Sequence, residues 1–145
     1  MEIKIIEQEL EITLYGISGH VVNQNYGETG MKLMDTMWNI VKSNHLKHKG
    51  INHWVYNEDM TMMAGVELEE IPDEALGLER KQIHLSKYAY WKHIGPYTKL
   101  FNVNAEMRKE LTARHIVYHH PCIEIYGHWS EDENKLETEI LWAID

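Results

Sequence analysis

The amino-acid sequence predicts an α+β fold built from two similar halves. Two stretches carry apolar residues at helical spacing, and each follows a stretch of alternating, β-branched residues. Two further strand-like stretches come after each helical one, so the order strand, helix, strand, strand occurs twice. Two such units pair their sheets most naturally about a pseudo-two-fold axis. We therefore expect one antiparallel sheet with two long helices on one side and a cleft between the halves.

The first half opens with a predicted strand over residues 3–22, which we expect to break near Gly16 and Gly19. The helix that follows has Thr29 as its predicted N-cap, because a hydroxyl there can accept from a free backbone N–H. It should stop before Gly50, since glycine readily takes the left-handed conformation that ends helices. The predicted apolar face of this helix consists of Leu33, Met34, Met37, Trp38 and Val41.

The second half follows a predicted connector at residues 70–78. Gly95 and Pro96 end its first strand and mark the junction with its helix. The helical period continues through Tyr97, Leu100, Phe101, Asn104, Met107, Arg108 and Leu111. The remaining predicted strands are residues 51–56, 61–68, 82–93, 122–129 and 136–144.

Length and composition indicate a single domain over residues 1–145, with halves of approximately 1–72 and 79–145. The net charge of -9 disfavours direct binding to nucleic acid, which depends on a basic surface. Cys122 is the only cysteine, so a reducing compartment is the simplest setting. The sequence shows neither a signal peptide nor an apolar run of the ~20 residues that cross a bilayer. We therefore expect a cytoplasmic protein that does not bind membranes.

Three stretches of the second half resemble the GyrI-like effector-binding family. Residues 90–97, Tyr-Trp-Lys-His-Ile-Gly-Pro-Tyr, look like the strand-to-helix junction of that family, where a Gly-Pro-Tyr triplet starts the second long helix. Residues 121–126, Pro-Cys-Ile-Glu-Ile-Tyr, are similar to the strand after that helix. Residues 136–144 resemble the final strand, in which an acidic residue precedes a terminal apolar run. The first half fits more loosely, so the ordered set carries the resemblance across the whole chain.

This resemblance implies a small-molecule-binding protein related to the ligand-sensing domains of BmrR-like and AraC-like transcription regulators. No helix-turn-helix segment fits before Ile3 or after Ile144, so we expect the sensing module without a DNA-binding domain. The implied ligands are cationic, amphipathic and drug-like, and no cofactor is expected. Two departures leave room for a different ligand preference. Ala143 stands where the family usually has a proline, and residues 27–29 match nothing in the family pattern.

Glu139 is the predicted counter-charge for such a ligand. On an extended strand, side chains alternate, so Glu139 faces away from Ile140. If the Ile140 face packs on the helices, we expect Glu139 to point toward the cleft between the halves. The family resemblance also carries its acidic residue onto this position. A carboxylate ringed by aromatic side chains attracts a lipophilic cation through both charge and ring-face interactions. The alternative is a solvated glutamate at the edge of a strand.

Four aromatic residues are predicted to form the walls of the cleft. Tyr56 and Tyr126 occupy corresponding places in the two halves, and Trp54 lies two residues before Tyr56 on the same strand face. Trp91 and its neighbour Tyr90 face opposite sides of their strand, so only one of them can line the cleft. Trp91 is the preferred candidate. Tyrosine and tryptophan suit such walls because each combines a flat apolar ring with a hydrogen-bonding tip. Ordinary core packing is the alternative for each of them.

Two other classes of function remain open at this point. A buried carboxylate with a raised pKa beside a tyrosine could hydrolyse electrophilic small molecules, as some GyrI-like domains do. A protein-interaction module of the gyrase-inhibitor type is the third possibility. The paired histidines, such as His45 with His48 and His115 with His119, have no implied third ligand, so no metal site is predicted. An unpaired outer strand would favour a homodimer.

Overall fold

The computed structural model describes residues 1–74 and 76–145 and contains an antiparallel eight-stranded sheet with two α-helices. The strands are β1 (Lys4–Ile6), β2 (Leu10–His20), β3 (His48–Tyr56), β4 (Thr61–Leu68), β5 (Glu79–Leu85), β6 (Tyr88–Ile94), β7 (Tyr118–Tyr126) and β8 (Glu137–Ile144). The helices are α1 (Tyr26–Ser43) and α2 (Leu100–Ala113). Across the sheet the strands run in the order β1-β6-β8-β7-β3-β4-β2-β5. The predicted α+β class and the repeated element order are confirmed.

Two predicted strands are in fact pairs of strands. The strand predicted over residues 3–22 is interrupted at residues 7–9, between β1 and β2, and not at Gly16 or Gly19. The strand predicted over residues 82–93 is divided between β5 and β6 by a link of two residues. Part of the predicted connector, residue 75, lies outside the described residues.

Gly16 lies inside β2 because two backbones approach closely there. A Cβ atom on Gly16 would stand 2.0 Å from the carbonyl oxygen of Ala64 and 2.7 Å from the Cα of Gly65 on β4. Only a residue without a side chain fits that contact. The glycine therefore lets the strand continue, whereas the sequence pattern was interpreted as a break.

The two helices end in the same way, 70 positions apart. His45 and His115 both take the left-handed conformation, with φ of 53° and 59°. The amide that follows each of them bonds back to its helix, Leu46 to Val41 O at 3.0 Å and Ile116 to Leu111 O at 2.9 Å. α1 begins at Tyr26, earlier than the predicted N-cap at Thr29 implies, and it ends well before Gly50.

A pseudo-two-fold axis relates the halves and crosses the sheet between β3 and β7. Along these strands Val55 pairs with Ile123 and His53 pairs with Ile125, a register that is symmetric about one central pair. That central pair is Trp54 and Glu124. Trp54 and Glu124 lie 70 positions apart in the sequence, the same separation as His45 and His115 at the helix ends. The axis therefore passes between Trp54 and Glu124.

The outermost strand of each half-sheet belongs, by its position in the sequence, to the other half of the chain. β1 pairs with β6, and β5 pairs with β2, so the predicted division into residues 1–72 and 79–145 does not follow the sheet. Residues 7–9 and 86–87 then join strands from opposite ends of the sheet. Such short links reach only about 10–14 Å, whereas the ends of a flat sheet of this size would stand about 30 Å apart. The sheet must therefore curl strongly.

Curling gives the sheet a closed inner side and an outer side covered by the helices. The inner core joins residues from both ends of the sheet: Ile12, Leu14, Val55, Met63, Ile83, Leu85, Ile123, Leu141 and Ala143. On the outer side, Met37 and Val41 of α1 pack over the first half, while Met107 and Leu111 of α2 pack over the second. The central strands β3 and β7 thus lie between the two helices.

Candidate ligand site

A buried glutamate lies at the centre of the sheet, on the side that carries the helices. Glu124 of β7 is 5% exposed and stands directly across from Trp54 of β3. Its Oε1 accepts hydrogen bonds from two tyrosine hydroxyls: one from Tyr126, at 2.8 Å, and one from Tyr56. One tyrosine comes from each half, so each half contributes one hydrogen bond to the carboxyl group.

Simple strand alternation places these side chains together. Glu124 and Tyr126 are two residues apart on β7, and Trp54 and Tyr56 are two apart on β3. Residues at that spacing share a face, and direct cross-strand partners have Cβ atoms about 5 Å apart. A carboxylate on one strand is therefore bordered by the aromatic rings of both.

Burial dominates the electrostatics of the carboxyl group. Removal from water raises the pKa of Glu124, and the two tyrosine hydroxyls only partly oppose this by stabilising the anion. Burial, followed by the nearby charge of Glu124, raises the pKa of Tyr56 and of Tyr126 well above the usual range. Among the described residues no basic side chain forms an ion pair with Glu124. In the described part of the chain, Glu124 is thus a buried carboxyl group without a counter-ion.

Two tyrosines that the sequence did not assign to the site extend its aromatic walls. Tyr26, at the start of α1, meets Tyr56 edge-to-face with ring centroids 5.6 Å apart. Tyr97, just before α2, meets Tyr126 in the same way at 5.4 Å. The Trp54 ring also meets the Tyr126 ring edge-to-face, at 5.4 Å. Alternation along strands could not reveal Tyr26 and Tyr97, because both stand at helix starts.

A glycine in α1 makes room for the tryptophan. A Cβ atom on Gly30 would lie 2.3 Å from Cζ3 of Trp54 and within 2.7 Å of two more atoms of its six-membered ring. The indole therefore rests directly on the helix backbone. This contact fixes the position of the Trp54 ring beside Glu124.

The structure does not bring Glu139 to this group. Ile140 does pack toward α2, as assumed, but Glu139 consequently points to the inner side of the sheet, away from Tyr56 and Tyr126. There it interacts with Tyr90, whose pKa rises to about 12 through burial and then through the nearby Glu139 carboxylate. Glu139 does face away from Ile140, as the alternation predicts. It is not grouped with Tyr56 and Tyr126, because those rings lie on the helix side of the sheet.

Trp91 does lie on the helix side, but not against the carboxylate. It pairs with Ile140 on β8, and Ile140 pairs in turn with Glu124. One strand therefore separates Trp91 from Glu124, a distance of about 10 Å between strand axes. Trp91 packs against the core beneath α2. Of the five predicted site residues, the structure thus brings together Trp54, Tyr56 and Tyr126.

Glu124 itself carried a signal that sequence reasoning missed. It stands two residues before Tyr126, as Trp54 stands two residues before Tyr56, so all four belong on one face. An acidic residue inside the apolar strand Cys122 to Tyr126 is unusual, because an ionisable side chain is rarely buried without a partner.

Two negative findings apply to the part of the chain that the structure describes. No group of three or more His, Cys, Asp or Glu side chains is arranged to hold a metal ion. No helix in that part is both long enough and apolar enough to span a membrane.

Solved structures share this fold. The C-terminal domain of EcmrR superposes with a TM-score of 0.79 at 15% identity, covering 100% of this chain and 99% of that one. SAV2435, solved with bound tetraphenylphosphonium, gives 0.66 at 18% identity and covers 100% and 94%. A hydrolase from Listeria innocua gives 0.60 at 12% identity and covers 99% and 92%. No curated protein sequence matches the chain significantly.

The sequence as a whole provides the family assignment. Residues 1–145 match the family described as the GyrI-like small molecule binding domain. This match spans every element that forms the site, from Tyr26 to Tyr126. The chain therefore belongs to the GyrI-like family of small-molecule-binding domains.

Proposed function

We propose that the protein binds amphipathic organic cations, with Glu124 as the counter-charge and Trp54, Tyr56 and Tyr126 as walls. The observation that carries this proposal is the buried, unpaired carboxylate bordered by aromatic rings. A buried anion without a counter-ion is costly, and a ligand that supplies the opposite charge removes that cost. A negatively charged site of this kind selects against anions.

The aromatic walls favour the same class of ligand. A cation within about 6 Å of a ring centroid gains roughly 0.5–2 kcal/mol from the negative face of that ring. Flat apolar rings also bury the hydrophobic part of an amphipathic molecule. The ligand of SAV2435, tetraphenylphosphonium, belongs to this class, although that observation concerns SAV2435 alone.

Ligand entry requires movement of the aromatic side chains. Both tyrosine hydroxyls bond to Glu124, and the carboxyl group is almost fully buried. Tyr97 is the wall residue that is most accessible to solvent, at 38% exposed. We propose that Tyr97 turns outward, away from the Tyr126 ring, to admit the ligand.

Fluorescence titration tests the proposal. The protein has five tryptophans, and Trp54 lies beside Glu124, so a ligand at the site should quench part of the emission. We expect saturable quenching by tetraphenylphosphonium and by cationic dyes, and little from anionic dyes of similar size. Equal quenching by cationic and anionic dyes would show that the carboxylate does not select the ligand.

Binding of a cation should depend on pH. Burial raises the pKa of Glu124 above its ordinary value of 4.5, so the free protein holds this proton at pH values where an exposed glutamate has lost it. A bound cation favours the anion, and we therefore expect affinity to increase as pH rises through the raised pKa and then to level off. Calorimetry in two buffers of different ionisation enthalpy should detect proton release below that pKa. Affinity that stays constant from pH 4.5 upward would contradict a raised pKa for Glu124.

A second candidate function rests on the same contacts. A carboxyl group with a raised pKa, hydrogen-bonded to two tyrosines, has the components for general acid catalysis on an electrophilic small molecule. The fold is shared with a protein described as a hydrolase, though at 12% identity this similarity concerns the fold only. Turnover of an electrophilic compound that ceases in Tyr126→Phe would favour this candidate. Binding without turnover would favour the first.

A further inference from the structure

The pseudo-two-fold axis places an unlike residue opposite Glu124. Trp54 and Glu124 occupy equivalent positions in the two halves and pair with each other across the axis. One carries a buried carboxyl oxygen that accepts hydrogen bonds, and the other carries an indole N–H, which can only donate. The two halves therefore offer a ligand opposite kinds of polar group, about 5 Å apart at the level of the Cβ atoms.

Within the described part of the chain, the indole N–H of Trp54 has no hydrogen-bond partner. Trp54 is 8% exposed, and its Nε1 is buried without a hydrogen-bond acceptor among the described residues. By contrast, Nε1 of Trp38 donates to Asn52 at 2.7 Å, and Nε1 of Trp142 donates to Asn104 at 2.9 Å. Buried donors in native proteins are almost always paired, so the unpaired one needs an explanation.

The orientation of the ring directs this donor away from α1. The edge of the ring that contacts Gly30 contains Cε3, Cζ3 and Cη2. In an indole the N–H bond points away from that edge. The helix backbone therefore does not accept from the N–H group. The Tyr126 ring packs against Trp54, but its hydroxyl donates to Glu124 and does not accept from Nε1.

We propose that the ligand of this site carries a hydrogen-bond acceptor, such as a carbonyl oxygen, beside its cationic centre, and that Trp54 Nε1 donates to it. The inference rests on the proposed function and narrows its ligand class from lipophilic cations in general to cations with an acceptor. Thr138 is fully buried and pairs with Tyr126 on β7, and its hydroxyl also lacks a partner among the residues that the structure describes. A hydroxyl can both donate and accept, so it does not discriminate between ligands, whereas an indole N–H does.

Matched pairs of cations test the inference. The probes are tetraphenylphosphonium ions in which one of the four rings carries an acetyl group at the ortho, meta or para position. Each is paired with the compound that carries an isopropyl group, of similar shape, at the same position. Calorimetry gives the affinity ratio, acetyl over isopropyl, for the wild-type protein and for Trp54→Phe. We expect this ratio to be about 3- to 10-fold higher in the wild type for at least one position, since a neutral hydrogen bond contributes about that factor.

The matched control is Trp142→Phe, which removes an indole N–H that is already bonded to Asn104. The ratio should be the same in this variant as in the wild type. Equal ratios in the wild type and Trp54→Phe at all three positions would overturn the inference while leaving cation binding intact. A wild-type protein that binds none of the six cations would instead overturn the proposed function.

A second measurement does not depend on the folding of Trp54→Phe. In protein labelled with [15N]tryptophan, five indole N–H signals are expected, one for each tryptophan. One of them should move further downfield with an acetyl cation than with its isopropyl twin, because a new hydrogen bond forms. Identical shifts of all five signals with both members of every pair would contradict a donated bond.

Discussion

Glu124→Gln is expected to weaken the binding of tetraphenylphosphonium at least about 30-fold, or about 2 kcal/mol, at neutral pH. Removing one partner of a buried charge pair typically costs 2–5 kcal/mol or more, and glutamine leaves the ligand's charge in the site without a counter-charge. The amide oxygen can still accept from the hydroxyls of Tyr56 and Tyr126, so the walls should keep their places. Calorimetric titration of both proteins measures the difference.

The same substitution should stabilise the unliganded protein. A carboxyl group whose pKa is raised on folding binds its proton more tightly in the native state, so its contribution to stability is present below pH 4.5 and is lost as pH rises through the raised pKa. Glutamine carries no charge and avoids this loss. We therefore expect a higher Tm for Glu124→Gln at neutral pH together with weaker binding.

Glu139→Gln is the matched control. It makes the same chemical change one residue from Ile140, which is the partner of Glu124 on β8, so its side chain lies on the inner side of the sheet. Cation affinity should stay within about twofold of the wild type. A large loss of affinity in Glu139→Gln, with little change in Glu124→Gln, would reverse the assignment in favour of the residue that the family resemblance indicated.

Gly16→Ala is expected to destabilise the fold by about 3 kcal/mol or more. The added Cβ would lie 2.0 Å from the carbonyl oxygen of Ala64, and a backbone group in the middle of a sheet cannot move aside without breaking strand pairing. Overpacking usually costs about 1–3 kcal/mol, and a clash with backbone lies at the upper end or beyond. Thermal unfolding should show a Tm lower by about 10 °C or more.

Gly27→Ala provides the comparison, because a Cβ on Gly27 would meet nothing within 4 Å. Alanine favours the helical conformation by about 1 kcal/mol relative to glycine, and Gly27 lies in the first turn of α1. This variant should match or slightly exceed the stability of the wild type. If Gly16→Ala unfolded at the same temperature as Gly27→Ala, the close approach of β2 and β4 would be refuted.

The sequence predicted those elements whose signal is local. Apolar periodicity located both helices, and β4 was predicted with its observed bounds, residues 61–68. The breaks between β1 and β2 and between β5 and β6 were missed because residues 7–9 and 86–87 contain no glycine, proline or asparagine. Gly16 led to a break being predicted where none exists, because the reason for a glycine there is the close approach of the β4 backbone.

The site was predicted only where strand alternation was enough. Tyr56 and Tyr126 were predicted together because they occupy corresponding places in the two halves. Trp54 was predicted from its spacing to Tyr56. Which carboxylate joins them depends on which side of the sheet the helices cover, a property of the whole fold. The resemblance indicated Glu139, whereas the cross-strand register places Glu124 among the rings.

The exchange of outer strands has a thermodynamic consequence. β1 completes the half-sheet that contains β6, while β5 completes the half-sheet that contains β2. Each half therefore depends on a segment that is covalently attached to the other, and neither can lose its structure alone without removing a strand from its neighbour. The molecule is an interlocked pair and not two modules in series, so melting should be a single cooperative transition in which the shared site and both halves are lost together.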